Sequence, residues 1–350
     1  MGTYNKIGKD YSFLAIDLGT ANTIAYVSGQ GVVFNEPSLM AYDTFTNNLI
    51  GLGHDAYRMI GKTHDKISII SPLVDGVISD MGAAQDLLKH IFGRLRLTNV
   101  WKNSIVVLAC PSGVTELEKS ALKEIALEMG ATYALVEEEV KMAAVGAGIN
   151  IELPEGNLII DIGGGTTDAA IISAGDIVIS RSVKVAGNHF DQEIRRYIRS
   201  EYNVIVGSKT AEAIKKDIGS VGKFKNEKPL RVFGRDVITG LPREILLKPI
   251  EIKNVLLNPF SKITDLIVEV LEKTPPELAG DVIRNGITVC GGGALIRNVA
   301  DYFESIFQLK VKISPDPLLA VIAGAKVYEQ NLGNLIERIK LIDAKEYKIT

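Results

Sequence analysis

The stretch best suited to chemistry spans residues 161–168, where the sequence reads Asp-Ile-Gly-Gly-Gly-Thr-Thr-Asp between two apolar runs. Three glycines between two buried-strand patterns predict a tight hairpin whose backbone allows a ligand to approach closely. Asp161 and Asp168 bracket this turn. A backbone cradle with a fixed carboxylate suits a phosphate chain and its magnesium ion. On its own, a run of glycines between strands is more often a plain turn.

A second copy of the pattern near the N-terminus favours the phosphate interpretation. Residues 15–24 superpose without gaps on residues 159–168, which aligns Asp17 with Asp161. Both copies lead into a second apolar strand pattern. The chain is therefore predicted to carry two strand–turn–strand phosphate loops, one in each half.

Length and composition limit the classes of protein to consider. A chain of 350 residues that is 46% hydrophobic predicts two lobes with sizeable cores. A net charge of -3 gives no strong basic field, so nucleic acid is not an expected partner. Cys110 and Cys290 lie in apolar strand-like runs, which predicts buried thiols in a reducing compartment and no metal-ligand spacing. With no visible signal peptide or transmembrane run, we expect a cytoplasmic protein.

The elements around the loops follow an α/β pattern. A buried strand at 105–110 stops at Pro111, and a capping box at 115–118 opens a helix that ends near Gly130. Further predictions are a strand at 133–136 running into three glutamates and a helix, helices at 190–202 and 208–218, a polar strand-rich insertion at 223–249, a long helix beginning at Asn258 and Pro259, a helix opened by the glycines at 291–293, a helix from Asp316 to about Gln330, and a basic tail at 332–350.

Taken together, the motifs resemble those of the actin-like ATPase superfamily, which includes actin, sugar kinases, the large heat-shock chaperones and bacterial MreB proteins. The match to the MreB family is close and spans nearly the whole chain. The matching motifs are the first phosphate loop at 17–23, Cys-Pro-Ser-Gly-Val-Thr at 110–115, the second phosphate loop at 161–167, Lys-Thr-Pro-Pro-Glu-Leu at 273–278, and Gly-Gly-Gly-Ala-Leu at 291–295.

The resemblance implies an α/β, two-lobed actin-like ATPase fold, in which duplicated mixed-sheet domains carry two small inserted subdomains and a nucleotide lies in the cleft of a U. It also implies ATP or ADP and Mg²⁺ as ligands, and homopolymer filaments at the inner face of the cell membrane that help to govern cell shape or mechanics. The subdomains expected on this basis are IA (10–35, 78–152 and 318–346), IB (36–77), IIA (153–186 and 244–317) and IIB (187–243).

The two phosphate loops are expected to hold the metal and the phosphates. Asp17 and Asp161 would bind Mg²⁺ mostly through water, because this ion keeps much of its hydration shell and needs few carboxylates. The alternative is that both are turn-capping aspartates. The residues expected to contact the phosphates are Gly19, Thr20, Ala21 and Asn22 in the first loop and Gly163, Gly164, Gly165 and Thr166 in the second.

Glu139 is the candidate for orienting the attacking water, and Thr167 and Asp168 complete the predicted catalytic set. The MreB motif Glu-Glu-Pro-Met falls on residues 138–141, so Glu139 keeps the catalytic position while Val and Lys replace Pro and Met. Asp168 stands where MreB proteins usually have Glu, and the shorter carboxylate reaches less far. These departures leave the rate of hydrolysis open. The alternative for three consecutive glutamates is a solvated helix N-terminus.

The nucleoside end is assigned by resemblance alone. In the adenosine loop of relatives, a side chain would collide with the purine or ribose, and the matching residues here are Gly291, Gly292, Gly293 and Ala294. Three residues of the predicted helix at 208–218 align with positions that touch ribose and base in relatives, namely Glu212, Lys215 and Lys216. The alternative for these three is an ordinary charged helix face.

A membrane contact is expected at Val100 and Trp101, the latter being the single tryptophan of the chain. In MreB proteins this turn carries an exposed apolar pair that enters the membrane, and tryptophan prefers the lipid interface. The alternative is a tryptophan folded back on its own domain. The cations of the tail, which include Arg338 and Lys340, either attract anionic lipid or are simply solvated.

Two other functions share parts of this pattern. A filament protein that binds nucleotide with little or no hydrolysis stays open because of the departures from the MreB motifs. A metabolite kinase of the same superfamily would require a catalytic aspartate in its first half and a larger sugar-binding insertion. A dinucleotide-binding fold is disfavoured because the glycines at 163–165 lead into a strand, where that fingerprint requires a helix.

Overall fold

The computed structural model describes residues 11–94, 103–223, 228–330 and 332–346. The chain divides into two compact units. Unit 1 comprises Met1–Ile149 and Leu319–Thr350, and unit 2 comprises Asn150–Leu318. Unit 1 is thus built from two chain segments and unit 2 from one. The finer division into four subdomains stays a prediction.

Unit 1 begins with strands and returns to them after each helix. Its elements before the chain enters unit 2 are β1 (Ser12–Leu18), β2 (Asn22–Val27), β3 (Gly31–Pro37), β4 (Met40–Asp43), β5 (Leu49–Leu52), α1 (His54–Met59), β6 (Ile67–Ile70), β7 (Leu73–Val74), β8 (Val77–Ile78), α2 (Met81–Arg94), β9 (Ser104–Cys110), α3 (Glu116–Glu128), β10 (Tyr133–Glu138) and α4 (Glu139–Gly146).

Unit 2 repeats the opening hairpin and then adds helices. Its elements are β11 (Asn157–Ile162), β12 (Thr167–Ser173), β13 (Asp176–Val183), α5 (Gly187–Tyr202), β14 (Val204–Ile205), α6 (Ser208–Ile218), β15 (Leu230–Asp236), β16 (Pro242–Leu247), α7 (Pro249–Lys273), α8 (Pro276–Asn285), β17 (Ile287–Cys290), α9 (Val299–Phe307) and β18 (Val311–Ile313). The chain then completes unit 1 with α10 (Ala320–Gln330) and α11 (Leu332–Glu346).

The main sheets of the two units share one plan. The strand order is β3-β2-β1-β9-β10 in unit 1 and β13-β12-β11-β17-β18 in unit 2. In each sheet the first three strands pair antiparallel and the last two join in parallel. The repeat seen in the sequence therefore extends to the topology of a whole sheet, which confirms the predicted duplication.

Burial explains the strand patterns around the predicted loops. All seven residues of β9 are buried, as expected for a parallel strand covered on both faces of the sheet. Both cysteines are buried and reduced. The predicted capping box of α3 is present, since the Thr115 hydroxyl accepts from Glu118 N and the Glu118 carboxylate accepts from Thr115 N at 2.8 Å. These elements lie where the sequence predicted them.

Each unit also carries a small three-stranded sheet with a nearly identical hairpin turn. Asp43 Oδ1 accepts from the backbone N of Phe45 and Thr46 at 2.9 and 2.8 Å, and Asp236 Oδ1 accepts from the equivalent groups of the second turn at the same distances. These hydrogen bonds lower the pKa of both carboxyl groups, that of Asp236 to about 2. The sequence analysis did not detect this second internal repeat, which lies at residues 43–48 and 236–241.

Helices α7 and α11 differ from the sequence prediction. Helix α7 begins at Pro249 rather than at Asn258, and Pro259 lies inside it. It continues through the proline because buried residues on both sides, among them Leu256 and Phe260, form one apolar face. The tail was predicted without a helix, yet α11 occupies most of it, with Ile339 only 1% exposed against unit 1.

The segments expected to open helices at the glycine loop and at Asp316 instead form short 3-10 turns. These turns span Gly292–Leu295 and Pro317–Leu319, and the α-helices begin later, at Val299 and Ala320. Since the backbone N of Gly291 donates to Pro317 O at 3.0 Å, the two turns are tied together. This contact competes with a regular helix start at both places.

Helices α4 and α10 cross in unusually close contact within unit 1. A Cβ added at Gly146 would collide with the carbonyl oxygen of Ala320, and one added at Gly324 would collide with that of Met142. The two glycines thus allow the helix backbones to touch. This contact joins the end of the first segment of unit 1 to the start of its second segment.

Candidate functional site

In unit 1, the predicted phosphate loop is the turn between β1 and β2. Asp17 is the penultimate residue of β1, is 8% exposed, and pairs with Ile24 across the hairpin. A Cβ at Gly19 would lie 2.7 Å from Asn22 O, so the turn has no room for a side chain there. The predicted loop residues therefore form a compact hairpin turn.

Ser38 supports this turn, although the sequence analysis did not identify it. Its hydroxyl donates to Gly19 O at 2.6 Å, which leaves the Thr23 hydroxyl to donate to Ser38 at 2.9 Å. The backbone N of Ser38 also donates to Ala21 O at 2.9 Å. The Thr20 hydroxyl accepts from Gly76 N at 3.3 Å and keeps its own proton for a ligand. No residue spacing in the sequence indicated Ser38, because the contact depends on the pairing of β2 with β3.

Strand direction brings Asp17 and Glu139 to the same edge of the unit 1 sheet. The parallel strands β1, β9 and β10 place Asp17 beside Ala109, and Cys110 beside Glu138. Glu139 follows directly as the first residue of α4. Two strand spacings separate β1 from β10, which is roughly 10 Å. This edge therefore carries the first loop and the candidate catalytic glutamate together.

The three consecutive glutamates have different surroundings. Glu137 is buried, and its carboxylate accepts from Arg338 Nη2 at 2.6 Å. Glu138 accepts from the Ser112 hydroxyl at 2.8 Å. Glu139 is half-buried at the start of α4, where the helix dipole favours a carboxylate. A uniformly solvated helix start, the alternative interpretation, is therefore wrong for Glu137.

In unit 2, the predicted loop is the turn between β11 and β12. Gly163 N donates to Thr166 O at 2.9 Å and closes the turn. Asp161 and Asp168 face each other in the register of the two strands, and they are 7% and 5% exposed. Burial, together with the Asp168 carboxylate, raises the pKa of Asp161 to about 7. The turn thus holds two buried carboxyl groups whose charges repel.

The first helix after the hairpins is docked on this turn. The backbone N of Gly187 donates to Gly163 O at 3.1 Å, and that of Asn188 donates to Gly164 O at 2.8 Å. The Thr167 hydroxyl donates to Val185 O at 2.7 Å, so its oxygen is left as an acceptor only. The start of α5 is a part of the site that the sequence analysis missed.

The predicted adenosine loop lies beside Asp161. Cys290 pairs with Asp161 in the parallel register of β17 and β11, and the glycines follow at the same edge. Gly291 has a φ of 80°, and a Cβ there would collide with Asp161 Oδ1 and Ile162 O. A Cβ at Gly293 would collide with the Ile162 side chain. At these two positions the packing of the protein itself already requires glycine, whether or not a nucleotide is bound.

The charged residues of α6 divide into two kinds. Lys215 Nζ donates to Gly187 O at 2.9 Å and to Asp191 Oδ2 at 3.0 Å, which fixes it against the start of α5. Glu212 and Lys216 form an exposed pair at 2.7 Å. The end of α6 is joined to the segment after the glycine loop, where Val221 N donates to Arg297 O at 3.0 Å. The structure thus places α6 and the glycine loop in one region of unit 2.

The predicted membrane contact, Val100 and Trp101, lies outside the described residues. Two of the tail cations are not simply solvated, because Arg338 binds Glu137 and Lys340 Nζ lies 5.7 Å from the centre of the Tyr133 ring. Among the described residues, no helix combines the length and the apolar character that crossing a membrane requires.

The carboxylates at the turn of unit 2 fit a hydrated Mg²⁺, which prefers such oxygen groups, and those of Asp161 and Asp168 are both buried. The repulsion between them would be relieved by a divalent cation, since an opposite charge favours the ionised carboxylates. The turn of unit 1, taken by itself, carries a buried carboxylate of the same kind, that of Asp17.

Comparison with known proteins identifies close relatives over almost the full length. The model of the MreB/Mbl protein family matches residues 11–337. The chain is 39% identical over 325 residues to the cell shape-determining protein Mbl of Bacillus subtilis (strain 168), covering 93% of this chain and 98% of that protein. Against the cell shape-determining protein MreB of Escherichia coli (strain K12), the identity is 39% over 316 residues, covering 89% and 91%.

Solved structures agree with this result. The crystal structure of MreB5 of Spiroplasma citri bound to AMPPNP is 66% identical to the chain, with a TM-score of 0.89. The match covers 94% of this chain and 98% of that structure. A structure of the same protein bound to ADP matches with 65% identity and the same TM-score of 0.89.

Proposed function

The chain belongs to the MreB/Mbl family of actin-like cytoskeletal proteins, and on this premise we propose that it binds ATP with Mg²⁺, hydrolyses it, and polymerises into filaments. The filaments would associate with the inner face of the cell membrane and help to govern cell shape or mechanics. The observation that carries the nucleotide site is the duplicated hairpin, in which Asp17 and Asp161 occupy the same penultimate position of β1 and β11. The structure of the MreB5 relative bound to AMPPNP supports a nucleotide ligand.

The two hairpin turns are assigned to the phosphates. Backbone N–H groups of the turns would donate to phosphate oxygens, as in other backbone anion sites. Asp17 and Asp161 would hold Mg²⁺ mainly through its water ligands. When bound, this ion neutralises charge on the phosphates and polarises the bond to be broken. The protein's own contribution is to keep the turns rigid, through Ser38 in unit 1 and the start of α5 in unit 2.

Hydrolysis is assigned to Glu139 in unit 1 and to Thr167 and Asp168 in unit 2. The Glu139 carboxylate would accept a hydrogen bond from the attacking water and orient it. Thr167 can serve the same water only as an acceptor, since its proton is used by Val185 O. Asp168, shorter than the usual Glu, is assigned the same neighbourhood.

The nucleoside end is assigned to unit 2. The loop of Gly291, Gly292, Gly293 and Ala294 would lie against the adenosine, with Glu212 and Lys216 on α6 contacting the ribose or base. Lys215 is assigned a supporting role in addition, because two of its hydrogen bonds hold Gly187 and Asp191. The membrane contact is assigned to Val100 and Trp101, by similarity to the family.

A binding-only filament protein is the second candidate, because Val140 and Lys141 depart from the family motif. In the structure, Lys141 supports the binding-only protein less strongly than the sequence suggested. Lys141 is 3% exposed and its Nζ lies 3.9 Å from Glu137 Oε2, so its charge has an anionic neighbour inside unit 1.

Phosphate release by the purified protein with Mg²⁺ and ATP, measured together with pelleting of filaments, separates the candidates. We expect release that rises more steeply than linearly with protein concentration, because assembly and turnover are coupled. Filaments without release at any concentration would favour the binding-only protein. Release that requires an added sugar would favour the kinase and contradict the proposal.

The Gly291→Ala variant tests the placement of the nucleotide site in unit 2. The methyl group would push Asp161 and Ile162 out of place, and we expect nucleotide affinity to fall by about tenfold or more, which is about 1.4 kcal/mol. Equilibrium titration with a fluorescent ADP analogue measures this change.

Gly286→Ala is the matched control for this prediction. Gly286 precedes the same strand, has a φ of 77°, and its Cβ would collide with Lys310 O. Both variants are therefore strained, but only Gly291 touches the candidate site. An equal loss of affinity in the two variants would show a general effect of strain and would remove the argument for the site.

A further inference from the structure

The last two residues of β10 make their contacts on opposite faces of the sheet. Neighbouring residues of a strand point to opposite faces of the sheet. Glu138 points towards α3, where Lys119 Nζ lies 3.7 Å from its carboxylate. Glu137 points towards the C-terminal helices and accepts from Arg338 on α11. Glu137 therefore connects the segment that carries Glu139 to helix α11.

Four side chains form a partly buried ionic group that we name the C-terminal cluster: Glu137, Lys141, Tyr328 and Arg338. Glu137 Oε2 accepts from Arg338 Nη2 at 2.6 Å and from the Tyr328 hydroxyl at 3.4 Å. Lys141 Nζ lies 3.9 Å from the same oxygen. Burial and the Glu137 charge raise the pKa of Tyr328 to about 12, so the phenol keeps the proton that it donates.

The cluster surrounds Glu139 in the chain. Glu137 lies two residues before it and Lys141 two residues after it, and both are buried. Arg338 and Tyr328 bring α11 and α10 to this point. The backbone that carries Glu139 is thus held from both sides by one ionic group, whose outer members come from the C-terminal segment of unit 1.

Stability alone does not account for the ionic character of the cluster. Removing charges from water is costly, and a buried ion pair is often no more stable than apolar residues of similar size. The MreB motif has Met where this chain has Lys141, so an apolar side chain suits that position in relatives. A charged cluster, in contrast, fixes the direction and distance of its members.

We propose that the C-terminal cluster is a positioning device, which holds Glu139 where it can orient the attacking water and makes turnover depend on the contact of Arg338 with Glu137. This inference rests on the proposed role of Glu139. Arg338 is the member that transmits the position of α11, since its guanidinium is bonded to Glu137. None of the four side chains is assigned a contact with the nucleotide.

Arg338→Met is the main test. The variant keeps an unbranched apolar stem, although a shorter one, and removes the charge and the donors. Small displacements of a catalytic group have large effects on rate, so we expect the turnover number to fall by about tenfold. Nucleotide affinity, measured with a fluorescent ADP analogue, should stay within about twofold, because the phosphate turns are untouched. Arg338→Lys should restore part of the turnover, since it returns the charge.

Lys123→Met is the matched control. Lys123, on α3, forms an ion pair with α11 that does not involve Glu137, with Asp343 Oδ1 at 2.6 Å. Turnover that falls as much in this variant as in Arg338→Met would show that the helix matters only for general stability and would overturn the proposal. So would normal turnover in Arg338→Met.

Tyr328→Phe covers the case in which Arg338→Met does not fold. It removes one hydroxyl group and keeps the ring, and we expect about a threefold loss of turnover with unchanged affinity. An unchanged turnover number overturns the proposal. Glu139→Ala, assayed in parallel, distinguishes failure of the positioning role from failure of the proposed function. If it lowers turnover and the cluster variants do not, the positioning role is wrong and the proposed function stands; if it leaves turnover unchanged, both are wrong.

Discussion

Glu139→Ala should lower the rate of phosphate release by about 10²–10³-fold, which is the usual contribution of a positioned acid–base group. The expected size follows from its place at the end of β10, on the sheet edge that also carries Asp17. Nucleotide affinity should change by less than about twofold, because the carboxylate that is removed is assigned to the attacking water and not to the phosphates. The measurement is single-turnover phosphate release at saturating protein, with the pelleted fraction recorded in the same samples.

Glu138→Ala provides the comparison one residue earlier. Its carboxylate is bonded to Ser112 and lies near Lys119, so its loss should affect local stability and leave turnover within about threefold. If the two variants lose turnover equally, Glu139 has no special role. If Glu139→Ala hydrolyses normally, the water-orienting group must be sought elsewhere in the chain.

Gly324→Ala should destabilise unit 1 by about 2–3 kcal/mol, since even one methyl group overpacks a contact in which backbones already touch. The added Cβ would meet the carbonyl oxygen of Met142 on α4, and neither helix can move without disturbing its neighbours. Urea unfolding, followed by far-ultraviolet circular dichroism, measures the change in the free energy of unfolding.

Gly93→Ala makes the same chemical change in a helix without such a contact. Gly93 is exposed in α2, and a Cβ there would have no atom within 4 Å. Alanine should therefore stabilise this helix, by about 0.5–1 kcal/mol, through its better helix propensity. Opposite signs for the two variants would establish that the helix crossing, and not helix propensity, decides the result. A neutral Gly324→Ala would contradict the close contact.

The parts of the fold that the sequence predicted are those with local signals. The two hairpins were visible because a buried strand, a glycine turn and a second strand follow each other directly in the chain, with Asp17 and Asp161 as markers. The capping box of α3 and the limits of α6 were equally local, and the structure has both where they were predicted. Family resemblance then supplied the functional roles, which local patterns alone do not give.

The parts that were missed depend on contacts between distant segments. Helix α11 has an apolar spacing at Leu335, Ile336 and Ile339, yet the lysines around it suggested a solvated tail. Its stability comes from docking on β10. Helix α7 continues through Pro259 because the apolar face on both sides is buried, which outweighs the loss of one backbone hydrogen bond. The sequence analysis placed the start of the helix at this proline, but tertiary packing extends the helix back to Pro249.

In the candidate site, too, the residues with local signals were predicted and those that depend on distant contacts were not. The loop residues themselves were predicted, whereas Ser38 and the start of α5 at Gly187 were not, since each reaches its turn through strand or helix packing. Likewise, the sequence showed that Lys141 departs from the family motif, but not that its ammonium group lies beside the Glu137 carboxylate, which also binds Arg338. Motifs indicated which groups act, and only the structure showed what supports them.

The division of unit 1 into two chain segments has a consequence for how the protein is made. Residues 150–318 leave the ribosome before α10 and α11 have been translated, so unit 2 can close its core first. Until then, the helix face at Gly146 has no α10 to pack on, and the Glu137 carboxylate has no guanidinium partner on α11. The nascent chain thus completes its second unit before its first, because the helices that close unit 1 follow unit 2 in the sequence.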